Sequence, residues 1–252
     1  MEIPEGWDLT GKKAVITADR RGWTKYYAGA LAEAGADVAV AGSENSDMIE
    51  ATKYVKDQGR MGFTLETDLM KRDSVNSMFE QAAEKLGGLD ILVNNAKVDF
   101  GKRFEAITED EWDILMNFNV KSMFLCCQAA GNKMMAAGHG RIINMTSDLA
   151  VRGLWNSVAS CAAEGAIHQL TQSLALDWGR NGIRINGIGA GWLTTKNQSE
   201  ENQKELLVRY LPSRRRGHPS ELSALLVYLS SDECDFVNGQ TIFIDGGALA
   251  HA

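Results

Sequence analysis

The chain is short of cysteine and histidine, with four of each in 252 residues, and no two cysteines stand in a CxxC spacing. Cys126, Cys127, Cys161 and Cys234, like the histidines at 139, 168, 218 and 251, are scattered. This argues against a metal site and a disulfide framework and reads as buried, reduced thiols. No run of apolar residues is long enough to span a bilayer. The opening residues, MEIPEGWDLTGKK, lack the basic start and apolar stretch of a signal peptide and the arginines of a transit peptide, so a cytoplasmic protein is expected. Positive charge is in deficit, with 26 Lys and Arg against 33 Asp and Glu. A net charge of −7 gives no general attraction for nucleic acid or an anionic membrane. Low-complexity linkers and internal repeats are missing too, which leaves a single domain over 1–252 as the expectation.

What is present is alternation. Short apolar runs recur as KAVIT (13–17), DVAVA (37–41), GFTLET (62–67), DILVNN (90–95), RIINMT (141–146), IRINGI (183–188) and TIFID (241–245). Amphipathic stretches of helical length lie between them, such as TKYYAGALAEAG (24–35) and SVNSMFEQAAEKLGG (74–88). Strands that are apolar almost end to end suit burial on both faces, and right-handed crossovers then give a parallel sheet flanked by helices. The expected fold is α/β, a single Rossmann-type doubly wound domain of about seven strands. One region is irregular, at about 189–217, with a loop, a helix predicted over EENQKELLVRY and the basic cluster SRRRG. A segment there covers a ligand cleft or forms a subunit contact.

Several markers then fall in order: Asp68 after the third strand, NNA at 94–96, WD at 112–113 with Asn119 in NFNV, GRIINMTS ending at Ser147, GIRINGI at 182–188 and NGQTIFIDGG at 238–247. Over nearly its whole length the sequence resembles the short-chain dehydrogenase/reductase family. The resemblance implies a nicotinamide cofactor on a TGxxxGxG turn and hydride transfer assisted by Asn, Ser and a Tyr and Lys spaced YxxxK.

At these positions the sequence departs from the pattern. The turn reads TADRRGWT (17–24), where only Gly22 remains and Ala18 and Thr24 replace the other two glycines. Such a turn needs glycine because the backbone bends tightly and approaches pyrophosphate at a helix N-terminus. Asp19 adds a carboxylate where phosphate would lie, Trp23 adds an indole, and Arg21 resembles the basic residue of NADP-binding members. Gly42, with Ser43 beside it, stands where an acidic residue would hold the NAD ribose. Lys97 replaces the glycine of NNAG, beside Asn95; its ammonium either snorkels to solvent or fills part of the cofactor site by pairing with Asp19. In the loop after the sixth strand Ala190 replaces a proline, while Gly191 and Thr194 match.

Counted from Ser147, the family's Tyr and Lys positions hold Ser160 and Glu164. A serine hydroxyl is a poor acid, and a carboxylate in place of the ammonium turns attraction for a developing oxyanion into repulsion. At ~4 Å and an effective dielectric of ~20 that repulsion is roughly 4 kcal/mol. Asn119 and Ser147 survive, in catalytic or packing roles. The resemblance with these losses implies a non-catalytic subunit supporting an active family paralogue in a heterotetrameric NAD(P)-dependent alcohol dehydrogenase. The inactive subunit of the hydroxybenzylsuccinyl-CoA dehydrogenase of anaerobic toluene degradation is similar in kind. No cofactor is then expected on this chain, NAD(P) being held by the partner; NADP(H) is the choice if this chain binds any.

Two other readings stay open. Ser160, Glu164 and His168 lie at i, i+4 and i+8, so Glu164 and His168, joined by Asp148 or Asp99, could serve a lyase, hydratase or isomerase. The third is a divergent NADP(H)-dependent oxidoreductase, possible also as a homo-oligomer. His168 is expected to face a neighbouring subunit, and Arg214, Arg215 and Arg216 to form a solvated loop unless they meet an anionic ligand.

Overall fold

In the computed structural model, which describes residues 4–19, 21–43, 46–196 and 206–250, the apolar runs form seven strands. These are β1 (Lys13–Thr17), β2 (Asp37–Gly42), β3 (Gly62–Glu66), β4 (Ile91–Asn94), β5 (Gly140–Ser147), β6 (Ile183–Ala190) and β7 (Thr241–Ile244). All pairings are parallel, in the order β3-β2-β1-β4-β5-β6-β7. The doubly wound fold expected from the alternation is present.

The period-2 alternation of the strands divides the core into two layers. Ala14, Ile16, Val38 and Val40 face one layer, with Tyr27 and Leu31 of α1 (Thr24–Glu33) and Met48 of α2 (Ser46–Asp57). Val15, Ala39 and Leu92 face the other. There they meet Phe79 of α3 (Arg72–Leu86), Met134 of α5 (Ser122–Ala137) and Ile167 of α6 (Val158–Trp178). The fully buried residues of β1 and β2 explain why these segments read as continuous apolar runs rather than as alternating ones.

Between α4 (Glu109–Met116) and α5 the chain does not leave the helix but passes through a π turn, Asn117–Lys121, which contains Asn119. Such bulges shift the register of a helix and recur at functional positions. The helix predicted over EENQKELLVRY is described only as α7 (Leu206–Tyr210); its earlier residues lie outside the described set. The last helix, α8 (Ser223–Ser230), returns the chain to β7. No described helix is long and apolar enough to cross a membrane.

The four cysteines are free, three of them buried and Cys161 half-buried. Burial raises the thiol of Cys126 and pushes that of Cys127 up to about 12, so both stay protonated.

The strand order reverses direction between β1 and β4, which opens a crevice at their carboxyl ends. Thr17, the last residue of β1, closes its base by accepting the backbone N–H groups of Asn95 and Ala96, each at 2.9 Å.

Candidate functional site at the carboxyl edge of the sheet

The first turn, after β1, folds around Asp19. Its carboxylate, 1% exposed as a residue, accepts the backbone N–H and the Nε of Arg21 at 3.1 and 2.9 Å, and Arg21 Nη2 lies 2.7 Å away. The guanidinium also stacks 3.9 Å from the ring centroid of Trp23. Arg21, the residue resembling an NADP anchor, is thus engaged inside its own turn. Gly22 takes φ +78°, a left-handed conformation that explains why it alone of the turn's glycines is kept. Thr24 starts α1 and its hydroxyl accepts from the Asp19 N–H and the Asn95 side chain. Ala18 is buried, and a Cβ on Gly42 would stand 3.5 Å from the Ala18 Cβ, so the β2 end closes on this turn.

Around the crevice, Asp68 binds Lys71 at 3.1 Å and receives the Met70 N–H, which holds its carboxyl below the usual range. Ser43 is exposed at the rim. The cavity bounded by Ala18, Asp19, Ser43, Asp68, Lys97 and Phe118 measures about 240 Å³. That is below the span of about 300–1,000 Å³ typical of small-molecule sites.

Lys97, in the loop after β4, neither snorkels to solvent nor pairs with Asp19, the two alternatives left open by the sequence. Its Nζ donates to Glu164 Oε1 at 2.8 Å, and both side chains are more than nine-tenths buried. Asp19 is already held by Arg21 two residues away, and Glu164 on α6 receives the Lys97 ammonium instead. The other oxygen of Glu164 accepts the hydroxyl of Thr146 on β5 at 2.7 Å, a contact with no signature in the sequence. The carboxylate is therefore satisfied from both sides.

The remaining positions of the family's constellation point elsewhere. Ser160 Oγ donates to the Phe100 carbonyl at 2.7 Å. Asn119, presented by the π turn, clamps Val98 by accepting its N–H and donating to its C=O, both at 2.9 Å. Ser147 accepts the Leu149 N–H and so caps the short turn Asp148–Ala150. Thr194 donates its backbone N–H to Gly217 and accepts from Lys196. Gly191 is required, since a Cβ there would lie 2.5 Å from the Asp245 backbone.

The stripe at 160, 164 and 168 does not converge. His168 Nδ1 contacts the Thr241 hydroxyl of β7 at 3.0 Å. Glu164 faces Lys97 and Thr146, so the structure does not bring Glu164 and His168 onto one reacting atom. Asp99 is exposed beside Arg21. Asp148 is buried, its carboxyl raised mainly by that burial and drawn back by Arg152 at 3.5 Å. In the basic cluster Arg215 makes a two-pronged pair with Glu221 at 2.6 and 2.7 Å, and Arg214 takes φ +55°. Arg216 stands beside them, its Nε buried without a hydrogen bond.

A family profile described as enoyl-(acyl carrier protein) reductase matches residues 17–248. The chain belongs to the short-chain dehydrogenase/reductase family. It is 35% identical over 254 residues to a 2-dehydro-3-deoxy-D-gluconate 5-dehydrogenase of Escherichia coli, covering 98% of this chain and 99% of that one. It is 30% identical over 241 residues to subunit BbsD of the (2S)-[(R)-hydroxy(phenyl)methyl]succinyl-CoA dehydrogenase of Thauera aromatica, covering 95% and 97% of the two chains. Among solved structures, a gluconate 5-dehydrogenase of Burkholderia cenocepacia in complex with NADP and tartrate superposes with a TM-score of 0.90 at 30% identity, covering 98% and 99%. The fold and the family are thereby shared with oxidoreductases along the whole length of the chain.

Proposed function

We propose that this chain is a subunit of an NAD(P)-dependent alcohol dehydrogenase in which an active family paralogue carries out hydride transfer. The observation that carries this reading is the Lys97–Glu164 pair. It occupies the place where the family holds a tyrosine acid activated by a lysine, and it offers a reacting carbonyl no acidic hydroxyl. Ser160, the residue in the tyrosine's position, spends its proton on the Phe100 carbonyl.

The crevice supports the same reading. A dinucleotide pyrophosphate would meet the buried Asp19 carboxylate, whose charge opposes phosphate, and the guanidinium of Arg21 is engaged by that carboxylate. No hydride step is assigned to this chain on this reading, although solved relatives of the same fold hold NADP. On this reading the bound cofactor belongs to the partner, and the relatives' dehydrogenase chemistry is that of the complex.

The partner surface on this reading is the groove between the π turn, α5 and α6. It measures about 590 Å³ and is lined by Met116, Val120, Phe124, Ala166 and Leu170 among others. Its walls are apolar, as the centre of a subunit contact is.

A second reading is favoured by one feature. Lys97 carries an ammonium to the neighbourhood from which the family lysine is missing, so a divergent NADP(H)-dependent oxidoreductase could use it. The NADP bound by the gluconate 5-dehydrogenase relative, and the dehydrogenase names of the other relatives, support cofactor binding in this alternative.

The deciding experiment titrates the purified chain with NADH and NADPH and weighs it by native mass spectrometry after coexpression with an intact family member. The subunit reading expects no micromolar binding and a mixed oligomer. Micromolar NADPH binding together with alcohol turnover by the isolated chain establishes the second reading instead.

A further inference from the structure

A second cavity lies apart from the Lys97–Glu164 pair. It measures about 1,260 Å³ and is walled by Phe104, Leu154, Trp155, Trp192 and Tyr210, with Arg152 set among them. These residues come from loops beyond the carboxyl ends of β4, β5 and β6 and from α7. Its walls are mainly rings and aliphatic chains.

Arg152 is held in place by those rings. Its Cζ lies 4.9 Å from the centroid of Trp192 and 5.8 Å from that of Tyr210, and the two rings meet edge to face at 6.1 Å. The side chain is only 16% exposed. A guanidinium carries five N–H donors, yet among the described residues Arg152 donates no hydrogen bond, and its Nε is buried without a partner. Asp148 Oδ2, an oxygen that itself lacks a hydrogen bond, lies 3.5 Å from its Nε. A fixed, largely desolvated cation with unused donors is costly unless an oxygen acceptor completes it. A carboxylate does so with two parallel bonds.

We propose that this cavity binds an organic acid with an aromatic or extended apolar body. Its carboxylate lies on the Arg152 guanidinium and its body lies among Phe104, Trp155 and Trp192. A polyhydroxy acid of gluconate type is expected to bind more weakly, because it leaves the rings of Phe104, Trp155 and Trp192 uncovered. The binding requires neither a dinucleotide nor a working proton donor, so it stands whichever reading of hydride transfer holds.

The test uses the full-length chain without cofactor, titrated with phenylsuccinate, gluconate and the neutral 3-phenylpropanol, with binding followed by calorimetry and tryptophan fluorescence. Phenylsuccinate is expected to bind saturably and about tenfold or more tighter than either comparison ligand, as loss of one charge-assisted contact or of ring packing implies. Arg152→Met should weaken phenylsuccinate to the level of phenylpropanol, while Arg152→Lys retains part of the difference. Trp155 is 91% exposed, so Trp155→Ala leaves the fold intact and should weaken phenylsuccinate several-fold. Absence of saturable phenylsuccinate binding to the wild-type chain, gluconate binding as tightly, or unchanged phenylsuccinate binding by both Arg152→Met and Trp155→Ala overturns the proposal.

Discussion

Lys97 in the loop after β4 and Glu164 in the second turn of α6 meet at 2.8 Å, 67 residues apart in sequence and almost wholly withdrawn from water. Relative to the family pattern, a lysine has been lost at 164 and another gained at 97, with a carboxylate to receive it. The charge pair is thus reversed in sequence yet rebuilt across the same edge of the sheet.

Breaking this pair from one side leaves a buried charge alone. Lys97→Met or Glu164→Leu is expected to lower stability by about 3–5 kcal/mol, in line with other buried pairs. The double variant Lys97→Met/Glu164→Leu should cost much less than the sum, because neither charge is then stranded. Urea unfolding of the four proteins measures the coupling, and additive losses would show that the pair is not formed.

The phosphate turn gives a second prediction. Asp19→Gly removes the carboxylate that engages Arg21 and frees its guanidinium for phosphate. NADPH affinity is expected to rise by about tenfold or more, the scale of one freed charge contact. Combining it with Lys97→Gly, Ser160→Tyr and Glu164→Lys should raise it further. Fluorescence titration checks both steps; a weaker affinity in Asp19→Gly would mean that the carboxylate assists binding.

The strands were legible because buried parallel strands are apolar along their whole length, and their parallel pairing followed from the crossover rule. Ser160 and Glu164 were legible because they lie at a fixed distance from Ser147. The partner of Lys97 was not. Both Asp19 and Glu164 were available on paper, and the choice depended on Arg21 reaching Asp19 first across a two-residue turn, where closure costs little entropy. The contact of His168 with Thr241 on β7 was not legible either, since it arises only when α6 packs beside the last strand. Thr146 and the ring-bound Arg152 left no trace, since their meaning arises only when separate loops come together.

Asp47, in the first turn of α2, is a buried acid outside that constellation. Burial pushes its carboxyl up to about 6, with the Asp19 and Glu50 charges acting in the same sense and Thr24 and Lys25 against it. The folded chain therefore keeps a proton there that the unfolded chain, at its ordinary 3.8, has released. Stability contributed by this proton is present below about pH 4 and is lost as pH rises to about 6. Asp47→Asn should match wild type near pH 4 and exceed it at pH 7 by about 1–3 kcal/mol, the scale of a shift of that size. Denaturation at both pH values reads the difference, and a gap independent of pH would exclude the titration as its cause.

The subunit reading makes its own demand on the α5–α6 face. Phe124 is 39% exposed and Ile114 is 64% exposed near a groove whose floor includes Ala166 and Leu170. A largely apolar groove between two long helices has room for side chains from another subunit, and a charge set on its floor opposes their burial. Ala166→Glu places a carboxylate in that groove while leaving the core face of α6, carried by Ala163 and Ile167, untouched. The variant should retain the wild-type circular dichroism spectrum and lose the mixed oligomer in native mass spectrometry. If the mixed oligomer persists in Ala166→Glu at wild-type yield, the contact with the paralogue lies on another face.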